Sequence, residues 1–392
     1  MAGLGLYLQI PFCASKCTFC NFSSRVAPGA VFDKYCSAVT QEAERLCALL
    51  LESGAGGEIL QLPVDTVYFG GGTPPIVGVE RLRAIVESFR RAFCVTAPRE
   101  FTIEATPGSL NAEMLQAIRR MGVDRLSIGA QSFIDRELAS VGRLHSAADT
   151  LELIGAARQA GFDNISLDLI AGLPHQTAAT WQESLDTVAR IRPEHVSVYI
   201  FEIDEKSRLG AEVLKHGSLV HASQVPDEAF VVDAYETARA FLKVLGYHQY
   251  EISNFALPGR ESLHNLKYWQ LEPYVGLGAG AHSFDGEHRW SNVVSPAEYA
   301  GNLSRNESPV AESRRLSQDE LIEEFFFTGL RQASGVELSS AARRWSSSEV
   351  SRWEPTINSL VGRGLLERRG DALRLADSAY MISHEVFQEF LQ

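Results

Sequence analysis

The sequence is short of several things, and each shortage removes a class of protein. No apolar run approaches the roughly 20 residues that a membrane-spanning helix needs. Positive charge is scarce: 36 Lys and Arg stand against 49 Asp and Glu, a net charge of −13. The basic footprint of a phosphate-backbone binder is therefore missing, and no nucleic-acid partner is expected. The opening MAGLGLYLQIPFC carries neither a basic n-region nor a signal-like apolar segment, so a cytoplasmic protein is expected. Cysteine is sparse and uneven, with all six residues at positions 13, 17, 20, 36, 47 and 94. A disulfide scaffold would spread its cysteines densely over a small chain. Cys36 and Cys47 fall in an apolar helical pattern and Cys94 follows Phe93 at a helix end, so these three read as ordinary small buried residues. No internal repeat or low-complexity segment is visible.

What is present is a long alternation of short apolar runs and segments of helical period. Strands are expected at Leu6–Ile10, Val64–Phe69, Glu100–Glu104, Arg125–Ile128, Asn164–Asp168 and His195–Tyr199. Helices are expected between them, at Val31–Glu52, Gly78–Phe93, Asn111–Met121, Ala147–Ala160 and Thr177–Arg190. Repeated βα units of this kind build a parallel sheet with helices outside it. Six units fall short of the eight of a closed barrel, so the fold class is α/β, an open partial (β/α)6 barrel, with a doubly wound sheet as the alternative. In either architecture functional groups gather at the carboxyl ends of the strands. The cysteine loop, Gly70-Gly71-Gly72-Thr73-Pro74, Glu104, Gln131, Asp168 and Glu202 all fall at or just past strand ends.

Beyond residue 200 the pattern changes. A long helix is expected over Val225–Leu245, a strand over Tyr247–Ile252, and then a Gly-, Asn- and aromatic-rich stretch over Leu257–His282. Helices at Ser317–Gln332 and Ser348–Arg363, a hairpin at Leu365–Leu375 and a last helix near Ser378–Leu391 suggest a small winged-helix-like domain. The expected division is a core over 1–245, a small α+β extension over 246–306, and a C-terminal domain over 307–392.

Cys13-Ala-Ser-Lys-Cys17-Thr-Phe-Cys20 places three thiols in eight residues on a loop after the first strand. Thiolates so close favour an iron–sulfur cluster or zinc. A structural zinc site wants four ligands, whereas three leave an open position for a small molecule. This C-x3-C-x2-C spacing, with an aromatic before the last Cys, resembles the signature of the radical-SAM superfamily. The resemblance implies a 4Fe–4S cluster on Cys13, Cys17 and Cys20, with S-adenosylmethionine (SAM) chelating the open iron through its methionine amine and carboxylate. It further implies a SAM pocket lined by Tyr7, Phe19, Gly71, Gly72, Thr73, Glu104, Gln131, Arg143, Asp168 and Glu202. Asp168 heads Asp-Leu-Ile-Ala-Gly-Leu-Pro, which resembles the corresponding family segment.

Within the superfamily the chain is similar to the branch that contains oxygen-independent coproporphyrinogen III dehydrogenase and a heme chaperone. The dehydrogenase carries a further Cys two residues past the triad, where this chain has Phe22, and a long extension ahead of the first strand, where this chain has six residues before Tyr7. His264-Asn265-Leu-Lys-Tyr268-Trp269 matches the H-N-x-x-Y-W motif that the chaperone side associates with heme. A neutral imidazole is a standard heme ligand, and Tyr and Trp offer flat apolar area with a polar edge. His282, closing Gly276-Leu-Gly-Ala-Gly-Ala-His282, is a second heme-side candidate. Gln9 departs from the His more usual before Ile-Pro-Phe-Cys. The resemblance thus implies a heme-trafficking chaperone rather than an enzyme, with no catalytic residue assigned. Its cofactors would be the cluster, SAM and heme. Its partners would be a heme-accepting apoprotein at the inner membrane face, an electron donor if SAM is cleaved, and a second copy if the chain dimerises. The alternative is the dehydrogenase, which decarboxylates porphyrinogen propionates to vinyl groups.

Overall fold

In a computed structural model the described residues are 3–53, 57–93, 95 and 97–391. Cys94 and the side chain of Cys47 fall outside this description, and Cys36 is buried. Six βα units form the frame. The strands are β1 Leu4–Ile10, β2 Val64–Gly71, β3 Glu100–Ala105, β4 Arg125–Gln131, β5 Ile165–Ala171 and β6 His195–Ile200. The helices that cover them are α1 Gly29–Ser53, α2 Val79–Ala92, α3 Ala112–Arg120, α4 Asp135–Ser140, α5 Ala147–Gln159 and α6 Ala178–Ile191. All six strands are parallel and stand side by side in chain order. A doubly wound sheet reverses its order part-way; here no reversal occurs, as the wall of a partial barrel requires.

The strands show why the wall curves around a polar interior. Residues of one parity face the helices and are apolar and buried: Leu4, Leu6, Leu8 and Ile10 on β1, Val67 and Phe69 on β2, Leu126 and Ile128 on β4. Residues of the other parity face inward and are mostly polar, among them Thr66, Glu100, Thr102, Arg125, Ser127, Ser166, His195 and Ser197, all buried. Parallel strands covered on both faces normally read as continuous apolar runs. The strict alternation here marks a lumen that must be filled with hydrogen-bonding groups instead.

After β6 come α7 Arg208–Leu214 and α8 Glu228–Val244, and then the sheet is extended at both edges. β8 Asn254–Ala256 adds antiparallel to β6, and β7 His248–Gln249 pairs antiparallel with β8 at the edge. The expected strand over Tyr247–Ile252 is cut to two residues because the chain turns at once: the Tyr250 amide donates to the Asn254 carbonyl, and Glu251 accepts from Ser253 and Asn254. α9 Leu263–Trp269 follows, capped by Ser262. Then β9 Tyr274–Leu277 returns to lie parallel to β1, and β10 His282–Phe284, β11 His288–Asn292 and, after α10 Pro296–Ser304, β12 Val310–Arg315 continue outward. The Gly-rich stretch is therefore largely ordered into the main sheet.

The C-terminal unit holds α11 Gln318–Gly329, β13 Val336–Glu337, α12 Leu338–Trp345, α13 Ser347–Val350, α14 Glu354–Gly362, a hairpin of β14 Leu366–Arg369 and β15 Ala372–Leu375, and α15 Ser383–Gln388. The single helix expected over Ser348–Arg363 is broken by a 3-10 turn at Ser351–Trp353, with Pro355, which lacks an amide hydrogen, opening α14. Among the described residues no helix is long and apolar enough to cross a membrane.

Candidate functional site

The three cysteines lie on the loop that follows β1, at the carboxyl end of the sheet. Its base is fixed by backbone bonds: the Cys13 amide donates to the Arg25 carbonyl at 3.1 Å and the Arg25 amide to the Pro11 carbonyl at 3.0 Å. Its flank is held from outside, since Thr18 donates to the Val141 carbonyl and Leu209 donates to Thr18. Lys16 reaches back across the loop to the carbonyls of Phe22 and Ser24. Cys13, Cys17 and Cys20 are all free and half-buried. Burial pushes the Cys13 thiol up, and the neighbouring Cys20 and Cys17 add to the rise. Arg143 is aimed at this group: one guanidinium nitrogen lies 3.6 Å from Cys17 Sγ and another donates to the Gly129 carbonyl at 2.5 Å. Among the described residues no three His, Cys, Asp or Glu side chains converge on a single ion. A cube asks for something else, one thiolate on each of three irons, and the donor set fits it.

The next strand end closes against this loop. Gly72 donates to the Ile10 carbonyl and Thr73 to the Phe12 carbonyl, each at 2.8 Å. A Cβ on Gly72 would stand 2.4 Å from the Phe12 carbonyl oxygen, so only glycine allows the approach. The Gly71 amide donates to Glu104 Oε2 at 2.9 Å, while Tyr68 donates its hydroxyl to Glu104 Oε1 at 2.9 Å. Burial pushes the Glu104 carboxyl up to about 7, with the Tyr68 and Gly71 hydrogen bonds opposing and the Asp168 charge reinforcing the rise. Burial likewise raises Asp168 to about 6, against a hydrogen bond from Ser197 and the cations Arg125 and Arg143. Gln131 ends β4 with φ +69, and its amide lies over Gly129 beside Arg143. Tyr7 donates to Gln9 Oε1 at 2.7 Å. Phe19 packs on a small cluster with Val141, Leu173, Phe201 and Leu209. Nine of the expected SAM-pocket residues thus belong to one end of the sheet. Glu202, just past β6, is exposed to solvent.

The segment His264 to Trp269 lies elsewhere. It forms most of α9, which plugs the amino end of the lumen. Glu100, at the start of β3, accepts from the Leu263 and His264 amides at 2.9 and 3.1 Å. Lys267, buried, bonds the Gly3 carbonyl, Asp65 and Glu272. His264 is 1% exposed, with Nδ1 at 2.9 Å from Thr66 Oγ1 and Nε2 at 2.9 Å from the Tyr268 hydroxyl. Burial, aided by the charges of Lys267 and Arg125, pushes its imidazole down to about 3. The ring is therefore neutral, and each nitrogen lies within hydrogen-bond distance of a hydroxyl. It stacks on Tyr68 at 5.3 Å and lies 6.2 Å from the Tyr7 ring. Trp269 lies under the Arg331 guanidinium at 4.5 Å, so the segment also ties the C-terminal unit to the lumen. Asn265 is half-buried on the same helix, and His282 is exposed at the start of β10.

The chain matches the Radical SAM superfamily over residues 7–188 and the HemN C-terminal domain over residues 316–382. A protein of Bacillus subtilis named heme chaperone HemW is 33% identical over 386 residues, covering 98% of both chains. The chain belongs to the HemW family. A Mycobacterium tuberculosis protein of the same name is 33% identical over 99% of this chain and 94% of its own. The mitochondrial radical S-adenosyl methionine domain-containing protein 1 of Bos taurus is 34% identical over 84% and 74%. The solved structure of coproporphyrinogen III oxidase HemN from Escherichia coli superposes with a TM-score of 0.84, covering 99% of this chain and 90% of that one at 21% identity. That likeness establishes the shared fold.

In this HemW-family chain several residues of the site carry no motif. Tyr68 holds Glu104 in place, Gln9 takes the Tyr7 hydroxyl, and Arg125 spreads positive charge under Asp168 and Glu100. Their shared signal in the sequence is parity, since each occupies an inward position of its strand; Gln9 is marked besides as a departure from the more usual His.

Proposed function

We propose that this chain binds SAM beside a 4Fe–4S cluster held by Cys13, Cys17 and Cys20, carries heme as cargo, and passes the heme to an acceptor apoprotein. The observation that carries this reading is the near full-length likeness to curated heme chaperones. Phe22 in place of a further thiol agrees with it. When bound, the cluster supplies an electron and an open coordination position for the methionine amine and carboxylate of SAM. The chain's own groups do the rest. Glu104, fixed from two sides by Tyr68 and Gly71, and Asp168 offer carboxylates to a ligand that carries a sulfonium cation and amine hydrogens to donate. Arg143 spans the gap between the fourth strand and the Cys17 sulfur, so its charge screens the thiolates from one another. The three glycines at the end of β2, Gly70 to Gly72, lower the pocket floor so that a ligand can lie against backbone.

The segment from His264 to Trp269 acts in this scheme as a buttress behind the pocket wall, through the His264, Tyr68 and Glu104 contacts. We assign the core to residues 1–245, the extension to 246–306 and a C-terminal unit to 307–392, whose first strand, β12, joins the main sheet. The chain would work in the cytoplasm, meeting its acceptor at the inner face of the membrane. Anaerobic incubation of the reconstituted protein with coproporphyrinogen III and SAM should give no multiple-turnover protoporphyrinogen, whereas heme-loaded protein should pass heme to an apoprotein acceptor. Sustained porphyrinogen turnover would replace the chaperone reading with the dehydrogenase.

A further inference from the structure

Between the end of β6 and the start of α8 the chain leaves the sheet over residues 201–225 and folds back beside the cysteine loop. Within itself this excursion is tied together. Ser207 caps α7 by accepting from the Gly210 amide at 2.9 Å, and the Leu219 amide donates to Glu212 Oε1 at 3.2 Å, joining the turn Leu219–Gln224 to α7. To the rest of the molecule it is lightly attached. The Leu209 amide donates to the Thr18 carbonyl at 2.8 Å, and Asn21 donates its side-chain amide to Asp204 Oδ2 at 2.7 Å. On the far side the His175 amide donates to the Gln224 carbonyl at 2.8 Å, and the His175 and His221 rings meet at 3.3 Å. The first two of these ties end on the cysteine loop, one on each side of Phe19 and Cys20.

The apolar side chains of the excursion form a small cluster of their own. Leu209, Val213 and Ala222 pack with Phe19 of the cysteine loop, Val141 and Leu173, apart from the main core. A unit whose buried contacts are few and set apart in this way opens locally while the rest of the fold stays closed. The backbone favours that opening. Three of the nine non-glycine residues with positive φ among the described residues fall here: His216 at +53, Val220 at +49 and His221 at +62. For a β-branched residue such as Val220 this region is a true outlier. Strain of this kind persists only where surrounding contacts enforce it, so it is released when the excursion comes away.

We propose that residues 201–225 are a hinged clasp on the flank of the cysteine loop. Docked, the clasp fixes Thr18, Phe19 and Asn21 and with them the thiols of Cys17 and Cys20; undocked, it leaves the loop free to take up its cluster. The inference rests on the cluster and SAM binding proposed above. A ligand that orders Phe19 and the cysteines favours the docked clasp, and by reciprocity the docked clasp retains the ligand.

Hydrogen exchange of peptides within residues 204–224 of the full chain reads the clasp directly. In the apoprotein these amides should exchange at least roughly tenfold faster than those of the six parallel strands. Reconstitution with the cluster and saturating SAM should slow them by roughly tenfold or more. Asn21 is exposed, so Asn21→Ala should leave the melting temperature unchanged while speeding exchange of the same peptides several-fold in the apoprotein. The reconstituted variant should also lose its brown chromophore to a chelator faster than the wild type. Exchange over 204–224 that matches the strands in the apoprotein would overturn the clasp, as would exchange that responds neither to loading nor to Asn21→Ala. A wild type that takes up no cluster or binds no SAM would overturn instead the function proposed above, and the apoprotein comparison with Asn21→Ala would still decide whether the clasp exists.

Discussion

Glu104 illustrates how much one side chain can depend on its neighbours. Its carboxyl is pushed up to about 7 by burial, so in the absence of a cationic ligand it is largely protonated below neutral pH. A bound cation favours the ionised form, hence SAM affinity should rise as pH passes from about 6 to about 8. Glu104→Gln should bind SAM weakly with little dependence on pH, and isothermal titration across that range would read both effects. A steep pH profile retained by the variant would shift the role to Asp168. For apoprotein stability the sign is opposite. A carboxyl raised in the folded state contributes stability that is full below its unfolded pKa near 4.5 and is lost as pH climbs through about 7.

At the scale of elements, α1 is fastened by a residue far from the pocket. Glu42, 2% exposed, accepts from Tyr299 of α10 at 2.5 Å, from Asn292 of β11 at 2.6 Å and from the Gly278 amide at 2.8 Å. Glu42→Ala would leave these buried donors without a partner, a loss of about 3–5 kcal/mol by the cost of breaking buried polar networks. A melt of the variant should fall by many degrees, and a shift near zero would mean that water replaces the carboxylate. Neither this fastening nor the outer strands β10 to β12 was legible in the sequence. The six βα units were, because apolar runs a few residues long between helical segments leave little choice of element. β10, β11 and β12 were not, since HSF, HRWSN and VAESRR carry no apolar run and depend on pairing with one another. The cysteine triad was legible by spacing and the glycines by their place at the end of the second strand. The burial of His264 was not, because H-N-x-x-Y-W gives chemistry without saying which way the helix faces; Glu100, more than 160 positions away, joins Ser262 at the start of the helix and holds it against the sheet.

Over the whole molecule, the wall, the plug and the C-terminal unit are joined by side chains that never touch the cysteine loop: Glu100 to α9, Trp269 to Arg331, Glu42 to α10. Replacing Cys13, Cys17 and Cys20 together by Ala should therefore leave far-UV circular dichroism and a cooperative thermal transition intact while abolishing the brown chromophore. A molten, dye-binding product would mean that the cluster is needed to fold. The feature behind this expectation is the tether at the base of the loop, where Cys13 and Pro11 are bonded to Arg25 and the thiols beyond remain half-buried. Its consequence concerns order in time: should the triple variant fold as expected, the polypeptide can stand as a finished vessel before any iron reaches it. Maturation is then a delivery to a standing doorway, and a cell short of iron would accumulate an intact, unloaded protein rather than debris.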